Sequence, residues 1–552
     1  MRTLCGITLA VLVGVNYGFA DDLEIARRNG SQANEALVRS RKALDAWWAR
    51  RDPVTGLLPR SGKELAWYVR DSAADLFPFL ALAARFTDRP RWEAGVFELL
   101  RDEVLWSTRV GALSDDVMAG GKGFVNKELD MDRLIFGSCE YAKDGLLPLV
   151  ELTGEPAFLD RLTGIAEAII NQAPYIGRFG RLPSRVAEVN GQFLQVLSRL
   201  AWRTADPWFV DQAVNIARFY FEEVIPKSGG LPAHEWDLGR GAPAVSEFHF
   251  NDHGNEIAGG MGELMICLKE TGRPQYETLA PKYAALVDRL LEVGLNADGV
   301  WITSCRLDGE PLDTLHAHCW GYLFNAVYSA WLLTGDERYL AAVKRAMQAV
   351  TDKPAYLDDP AGGGRGWGSD AYSDAIESAI ILLNRLPDPR TELAVDSAVV
   401  RMLGRQRSDG IVEDWYGDGN YVRTALMYAL MKSKGCWVEE WRPDLALGAA
   451  GSGDEGLVLA VESESPWSGR LHFDYPRHRL HWNMTVNYPR LNEWPEWFTV
   501  EPNRLYEVQV GKMRQAYSGA EMIRGIPLST GALDVLEVRV TPLGEPPYGD
   551  HR

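Results

Sequence analysis

Between Ser246 and Leu264 the chain reads SEFHFNDHGNEIAGGMGEL. His249, Asn251, Asp252, His253 and Glu256 crowd the mouth of an apolar segment. If a helix begins near Asp252, then Asp252 and Glu256 stand i, i+4 on one face, with both histidines beside them. Three chemistries use such a set. Hydrolysis of a glycosidic bond needs one carboxyl group to donate a proton and a second to activate water or attack the sugar. Asp252 or Glu256 facing Asp71, Asp132 or Asp414 from other loops supplies that pair. Elimination from a uronate needs a base for the proton next to a carboxylate, and neutral or cationic groups to hold the enolate-like charge. His253 or Tyr322 suits the first role, and Asn251, His316 and nearby arginines suit the second. Metal binding is the third, with His249-x3-His253 and His316-x-His318 offering imidazoles at permissive spacing. Neither a metal nor an organic cofactor is expected.

The same residue types recur in other loops: Asp71 and Asp75, Asp130 and Asp132, His316 and His318, Asp370 and Asp374, Glu413, Asp414 and Asp418. A single Asp at a helix start reads as a cap satisfying free N–H groups, and that accounts for Asp75 and Asp374. Capping does not account for the histidines. Five of the nine (His234, His249, His253, His316, His318) fall in two successive loops, where the helix dipole disfavours a cation. Aromatic residues cluster beside the same loops: Trp67, Tyr68, Trp236, Trp320, Tyr322, Trp367, Trp415 and Tyr416. Sugar rings present apolar C–H faces that stack on such rings, with a few polar groups to fix orientation. With His249, Asn251 and His318 they form the expected substrate-binding set. The glycines of AGGGRGWGSDAYSD suit a loop closing on a ligand, with Trp367 as its contact.

Repetition along the chain identifies the elements that position these residues. LVELTGEPAFLDRLTGIAEAI at 149–169 returns as CLKETGRPQYETLAPKYAALVDRLL at 267–291 and AWLLTGDERYLAAVKRAMQAV at 330–350, with weaker copies at 82–100 and 197–220. Each reads as helix, short turn, helix. The Gly of Thr-Gly supplies the left-handed C-cap, and an acid or Pro opens the next helix. Long polar loops alternate with these short turns from about 22 to 435. Helical hairpins of that kind close into an (α/α) toroid with the long loops at one rim. Six inner helices are clear, and a seventh is expected near 190–203. An open solenoid is the alternative, disfavoured by the unequal loops. After about 445 the pattern shifts to period two, as in GLVLAVESE and LDVLEVRVTPL, predicting a β-sandwich-like domain over 446–552. GAAGSGDEG is expected to be a linker, and HFDYPRHRLHW to form exposed strand faces.

The first twenty residues, MRTLCGITLAVLVGVNYGFA, have the short charged, apolar and small-x-small layout of a secretory signal. The expected location is therefore secreted or periplasmic. No later run suits a membrane span. The net charge of −18 over 552 residues argues against nucleic acid as a partner. Cysteines are scattered and lack CxxC spacing. Cys305 with Cys319 is the one pair that suggests a bridge.

A helical toroid behind a signal sequence resembles the six-hairpin glycosidase-like proteins and, with a β-sandwich after it, the toroidal polysaccharide lyases. DPVTGLLPR, RDSAADLFPFLALAA and LHAHCWGYLFNAVYSAWLLTGD carry the resemblance over about three quarters of the chain. It implies carbohydrate as the substrate class and names no linkage; the expected function is an enzyme cleaving glycosidic bonds by acid/base chemistry at the rim, with hydrolysis slightly favoured. A uronate lyase and a non-catalytic glycan-binding protein are the alternatives. Fold alone assigns no catalytic residue.

Overall fold

A computed structural model describes residues 22–358, 368–451 and 456–544, without the side chains of Asp252, His253 and Asp358. Trp367 and the leader at 1–20 lie outside these residues.

Among the described residues, helices pair into seven hairpins. The outer members are α1 (Asp22–Trp48), α3 (91–107), α5 (Pro156–Gln172), α7 (207–227), α9 (Gln275–Gly294), α11 (Glu337–Asp352) and α13 (Pro389–Leu403). The inner members are α2 (69–87), α4 (131–153), α6 (Ala187–Thr204), α8 (Asp252–Glu270), α10 (Tyr322–Thr334), α12 (Gly368–Arg385) and α14 (Gly417–Lys432). Inner helices follow one another around the ring, with α10 meeting α12 through the Tyr322–Glu377 bond, and α14 packs back onto both α1 and α2. The ring is thereby closed as an (α/α)7 toroid, with α6 as the seventh inner helix.

The outer helices bury one face, whereas inner helices such as α6, α10, α12 and α14 are buried along most of their residues. In α11, Asp336 caps the start by accepting from the Arg338 N–H, and Tyr339, Val343, Ala346, Met347 and Val350 recur on the buried face. In α10 every residue from Tyr322 to Ala330 is buried. That follows from its largely apolar sequence, with Asn325 and Ser329 the buried polar exceptions. The Thr-Gly turns are as expected: Gly154 (φ +66°) and Gly335 (φ +70°) end α4 and α10 in the left-handed region. Inner helices touch at small residues. A Cβ on Gly191 of α6 would lie 2.3 Å from the Ile257 nitrogen of α8, so only glycine allows that crossing.

The C-terminal domain packs a five-stranded antiparallel sheet against a three-stranded one, with a shared apolar core. Its strands are β1 (Trp437–Val438), β2 (Leu445–Gly451), β3 (Leu457–Ser463), β4 (Trp467–His472), β5 (Leu505–Val510), β6 (Met513–Ser518), β7 (Ile526–Thr530) and β8 (Val535–Leu543). Sheet orders are β2-β3-β8-β5-β6 and β7-β4-β1. Two expectations are corrected here. GAAGSGDEG is not a linker: β2 and β3 pair from Leu445↔Ser463 to Gly451↔Leu457 across it, and β2 lies on α1. HFDYPRHRLHW is not an exposed strand throughout. Its second half is the helix α15 (Arg477–Trp482), with Arg477 and Trp482 buried against the toroid. The five cysteines of the described residues are buried and none is in a disulfide, so Cys305 and Cys319 form no bridge. No helix of the described residues is long and apolar enough to cross a membrane.

Candidate active site

The inner helices bring a cluster of carboxylates together around Asn420, Lys143 and Arg423, the floor of the site. Asp75 lies in the first turns of α2, which wind as a π-helix over Val69–Leu76; such turns recur at functional sites. Its backbone is met closely by α14, where a Cβ on Gly419 would stand 2.1 Å from the Asp75 carbonyl oxygen. The next residue, Asn420, is thereby set against two acids. Its amide nitrogen donates to Asp370 Oδ1 at 2.5 Å and reaches Asp75 Oδ1 at 3.4 Å. Burial raises the Asp75 carboxyl well above its ordinary range, and the charges of Asp144, Asp370, Glu140 and Asp71 push the same way. Asp75 is therefore the floor residue best suited to hold a proton.

Three cations share the remaining acids. Lys143 donates to Asp144 at 2.7 Å and to Glu256 at 2.6 Å. Burial opposes the Lys143 charge, but these two carboxylates outweigh it and hold the ammonium above its usual value. Glu256, which also accepts from Gln195, is pushed up to about 7 by burial against the pull of Lys143. Arg423 bonds Asp374 at 2.6 Å and Glu377 at 2.7 Å. Glu377 also accepts from the Tyr322 hydroxyl at 2.8 Å, and burial raises it to about 7. His318 Nε2 lies 3.4 Å from Asp374. Arg70 pairs with Glu140, which burial nonetheless pushes up to about 7.

Beside the floor, Arg70, Asp132, Arg133, Phe136, Tyr175 and Arg185 line a rim cleft of about 210 Å³. The Arg70 guanidinium stacks on Phe136 at 3.7 Å, and Tyr175 donates to Asp132 at 2.6 Å. Aromatic faces edged by a few polar groups are a lining suited to sugar rings.

The residues singled out from the sequence separate into four groups. Glu256, His318 and Tyr322 lie in the floor, and Asp71 lies at its edge, paired with Arg60 at 2.5 Å. Tyr68 (under Arg60), Trp415 and Tyr416 are half-buried at the rim; Trp415 and Tyr416 pack together at 4.5 Å. Tyr416 is close enough to Asp370, Asp75, Asp71 and Glu140 for their charges to reinforce the burial that raises its hydroxyl. Further out, Asp132 is exposed in the rim cleft, His249 stacks on His234 at 4.4 Å, and His316 packs edge-on against Tyr356 at 4.6 Å. Asn251 is the residue before α8, with no side-chain cap bond. Asp252 and His253 open that helix, with side chains outside the described set.

The remaining group is a correction. Trp67, Trp236 and Trp320 are at most 2% exposed. They are core residues, and Trp320 donates to the Ala375 carbonyl at 3.1 Å. Rings that fill the helix interfaces cannot also meet a ligand. Asp75 and Asp374 are corrected too: both lie well inside their helices and cap nothing. Asp414 and Asp418 hold loops, Asp414 by bonding Arg50 and the Gly62 N–H, Asp418 by accepting from Val412, Glu413 and Trp47. Glu140, Lys143, Asp144, Asn420 and Arg423 were not singled out at all. Their signal is the i, i+3/i+4 spacing of Glu140, Lys143 and Asp144, and of Asn420 and Arg423, within largely apolar stretches of α4 and α14. Among the described residues, no three His, Cys, Asp or Glu side chains converge as metal ligands.

No protein-family model and no curated protein matches the sequence. Similar solved structures include an α-1,6-mannanase from Salegentibacter sp. (14% identity, 60% of this chain and 97% of that one, TM-score 0.43). A cellobiose 2-epimerase from Bacillus thermoamylovorans is another (14% identity, 57% and 87%, TM-score 0.41). A third is an unsaturated glucuronyl hydrolase from Bacillus sp. (15% identity, 59% and 93%, TM-score 0.40). Identity this low transfers no residue role, so the chemistry rests on the floor itself.

Proposed function

We propose that this protein is a carbohydrate-active enzyme hydrolysing glycosidic bonds of a glycan without charged sugars at the reacting centre. In this reading Asp75 is the proton donor and Asp370 the second carboxyl group. One observation carries it: a single amide, that of Asn420, reaches both acids. Their two bonded oxygens can be no further apart than those two bonds laid end to end. Carboxyl groups bridged in this way suit double displacement, where they stand about 5–5.5 Å apart, better than inversion, where ~6.5–9.5 Å leaves room for a water between them. Asp75 gives its proton to the glycosidic oxygen as the C–O bond breaks, and Asp370 attacks the anomeric carbon. Water then cleaves the glycosyl–Asp370 ester while Asp75 takes back a proton. Tyr416 and the rim cleft around Phe136 and Tyr175 would stack the flanking sugars.

Elimination from a uronate fits less well. It needs unspent positive charge near the substrate carboxylate. Arg70, Lys143 and Arg423 are each already bonded to carboxylates of the floor. Export is part of the proposal on the strength of the leader-like first twenty residues, and cell fractionation checks it. The activity is tested by incubating the protein with neutral and uronic polysaccharides. New reducing ends from a neutral glycan, with no ultraviolet-absorbing unsaturated product, are expected. An unsaturated uronate product would replace this reading with the lyase, and saturable binding without product would replace it with a receptor.

A further inference from the structure

The toroid does not build its floor alone. The C-terminal domain sends a loop into the lower mouth of the ring, where Tyr488, Leu491 and Trp494 are buried. Leu491 packs with Cys319 and Tyr322. Its carbonyl accepts from Arg199 at 3.0 Å, and Arg490 bonds Glu151 at 2.5 Å. Asn492 stands next on this loop, with φ +53°, a left-handed conformation that asparagine tolerates better than most residues. Its amide nitrogen donates to Asp144, and its amide oxygen accepts from Arg423 Nη1 at 3.3 Å. The same Nη1 donates to the Asn420 oxygen at 3.2 Å. A chain of bonds therefore runs from Asn492 through Arg423 and Asn420 to Asp75 and Asp370.

We infer that Asn492 is a positioning residue that the C-terminal domain supplies to the catalytic floor. This rests on the hydrolytic reading above. Asn492 touches no reacting atom. It orients Arg423, and through it the Asn420 amide shared by the two acids, while its N–H groups hold Asp144 on the other side. The second domain is on this account part of the active site rather than an appendage. The charged groups facing Asn492 are Asp144 from α4 and Arg423 from α14, with Lys143 and Glu377 bonded behind them.

Asn492→Asp tests this in the full-length protein, because it exchanges the donating nitrogen for a second carboxylate against Asp144. When protonated, the new carboxyl restores a donor. Turnover of the glycan that the wild type cleaves is expected to fall about 10- to 100-fold at pH 8. The deficit relative to wild type should shrink as pH drops toward 5, with KM little changed. Asn492→Ala should lose activity at every pH. A melting temperature a few degrees below wild type at pH 8, converging with it at pH 5, is the parallel sign that Asn492 faces Asp144. An activity deficit independent of pH, or no deficit despite the thermal signature, overturns the positioning role. Absence of the thermal signature overturns the seating of the loop. A wild-type protein inactive on every glycan overturns the hydrolytic reading and this role with it, and the thermal arm distinguishes that failure from an unseated loop.

Discussion

The two ends of the toroid use the same residue types to opposite effect. At the lower mouth, Arg199 holds Glu263 with two bonds of 3.0 Å, and Arg490 holds Glu151 at 2.5 and 3.1 Å. Burial alone would push Glu151 up, but Arg490 and Arg199 outweigh it and hold the carboxyl below its ordinary range. In the floor above, acids outnumber cations: burial lifts Glu140 and Glu377 despite Arg70 and Arg423, and lifts Asp75 together with the acids around it. Matched charge makes a joint between domains. Unmatched charge leaves carboxyl groups that keep protons near neutrality, which is what an acid catalyst requires.

The sharpest way to separate the two regions is to neutralise one acid in each. Asp370→Asn and Asp75→Asn should each reduce turnover by about 10²–10⁴-fold with little change in melting temperature. An aryl glycoside with a good leaving group, which needs no protonation, should recover most of the Asp75→Asn loss in kcat/KM, which reports glycosylation, while kcat stays low because deglycosylation still needs Asp75 as base. Steady-state rates on both substrates check this. Glu151→Gln should do the reverse. It leaves the Arg490 charge buried without its partner, a change that costs about 3–5 kcal/mol, while the rate per folded molecule stays near wild type. Calorimetry and active-fraction titration read the two effects separately.

The pH dependence of stability sharpens the contrast. Glu377 and Glu140 have folded values near 7, above those of an unfolded Glu. The stability they contribute is fully present below the unfolded value and is lost as pH rises through about 7. Glu151 is depressed, so its contribution is present above the unfolded value and is lost only as pH falls well below it. Melting temperature should thus decline from pH 5 to pH 8, and Glu377→Gln should flatten that decline without altering the acid limb. A thermal-shift series across pH measures both. The smallest effect is at the aromatics. Tyr416→Ala should raise KM roughly 3- to 10-fold, as loss of about 0.5–1.5 kcal/mol of ring contact predicts. Trp320→Phe should lower the melting temperature and leave KM unchanged.

Much of the scaffold was legible because it rests on local rules. Thr-Gly followed by an acid marked helix ends that do close with left-handed glycines, and the switch to period two after about 445 marked the sandwich. The seventh inner helix was harder to read because α6 is buried along nearly its whole length, polar residues included, so its polar positions do not mark a solvent face. The floor was only half legible. Glu256, His318 and Tyr322 stand out because they sit near helix starts in loops dense with polar residues. Asp75 reads as a cap only if the helix starts beside it, whereas the π-helical turns begin at Val69. The lower joint could not be read at all. Arg490 and Glu151 are 339 residues apart, and no local pattern in HFDYPRHRLHW or in residues 483–494 shows that this stretch enters the ring. Aromatic clustering misled for Trp67, Trp236 and Trp320, because packing between helices and stacking on sugars select the same side chains.

The claim that Asp75 and Asp370 act as a closely spaced acid and nucleophile is tested most directly by product stereochemistry. Proton NMR of the first sugar released from a glycan or aryl glycoside that the enzyme cleaves reports the anomer before it mutarotates. The short reach of the Asn420 amide to both acids predicts retention of configuration. An inverted anomer would contradict the paired-carboxyl account at its root.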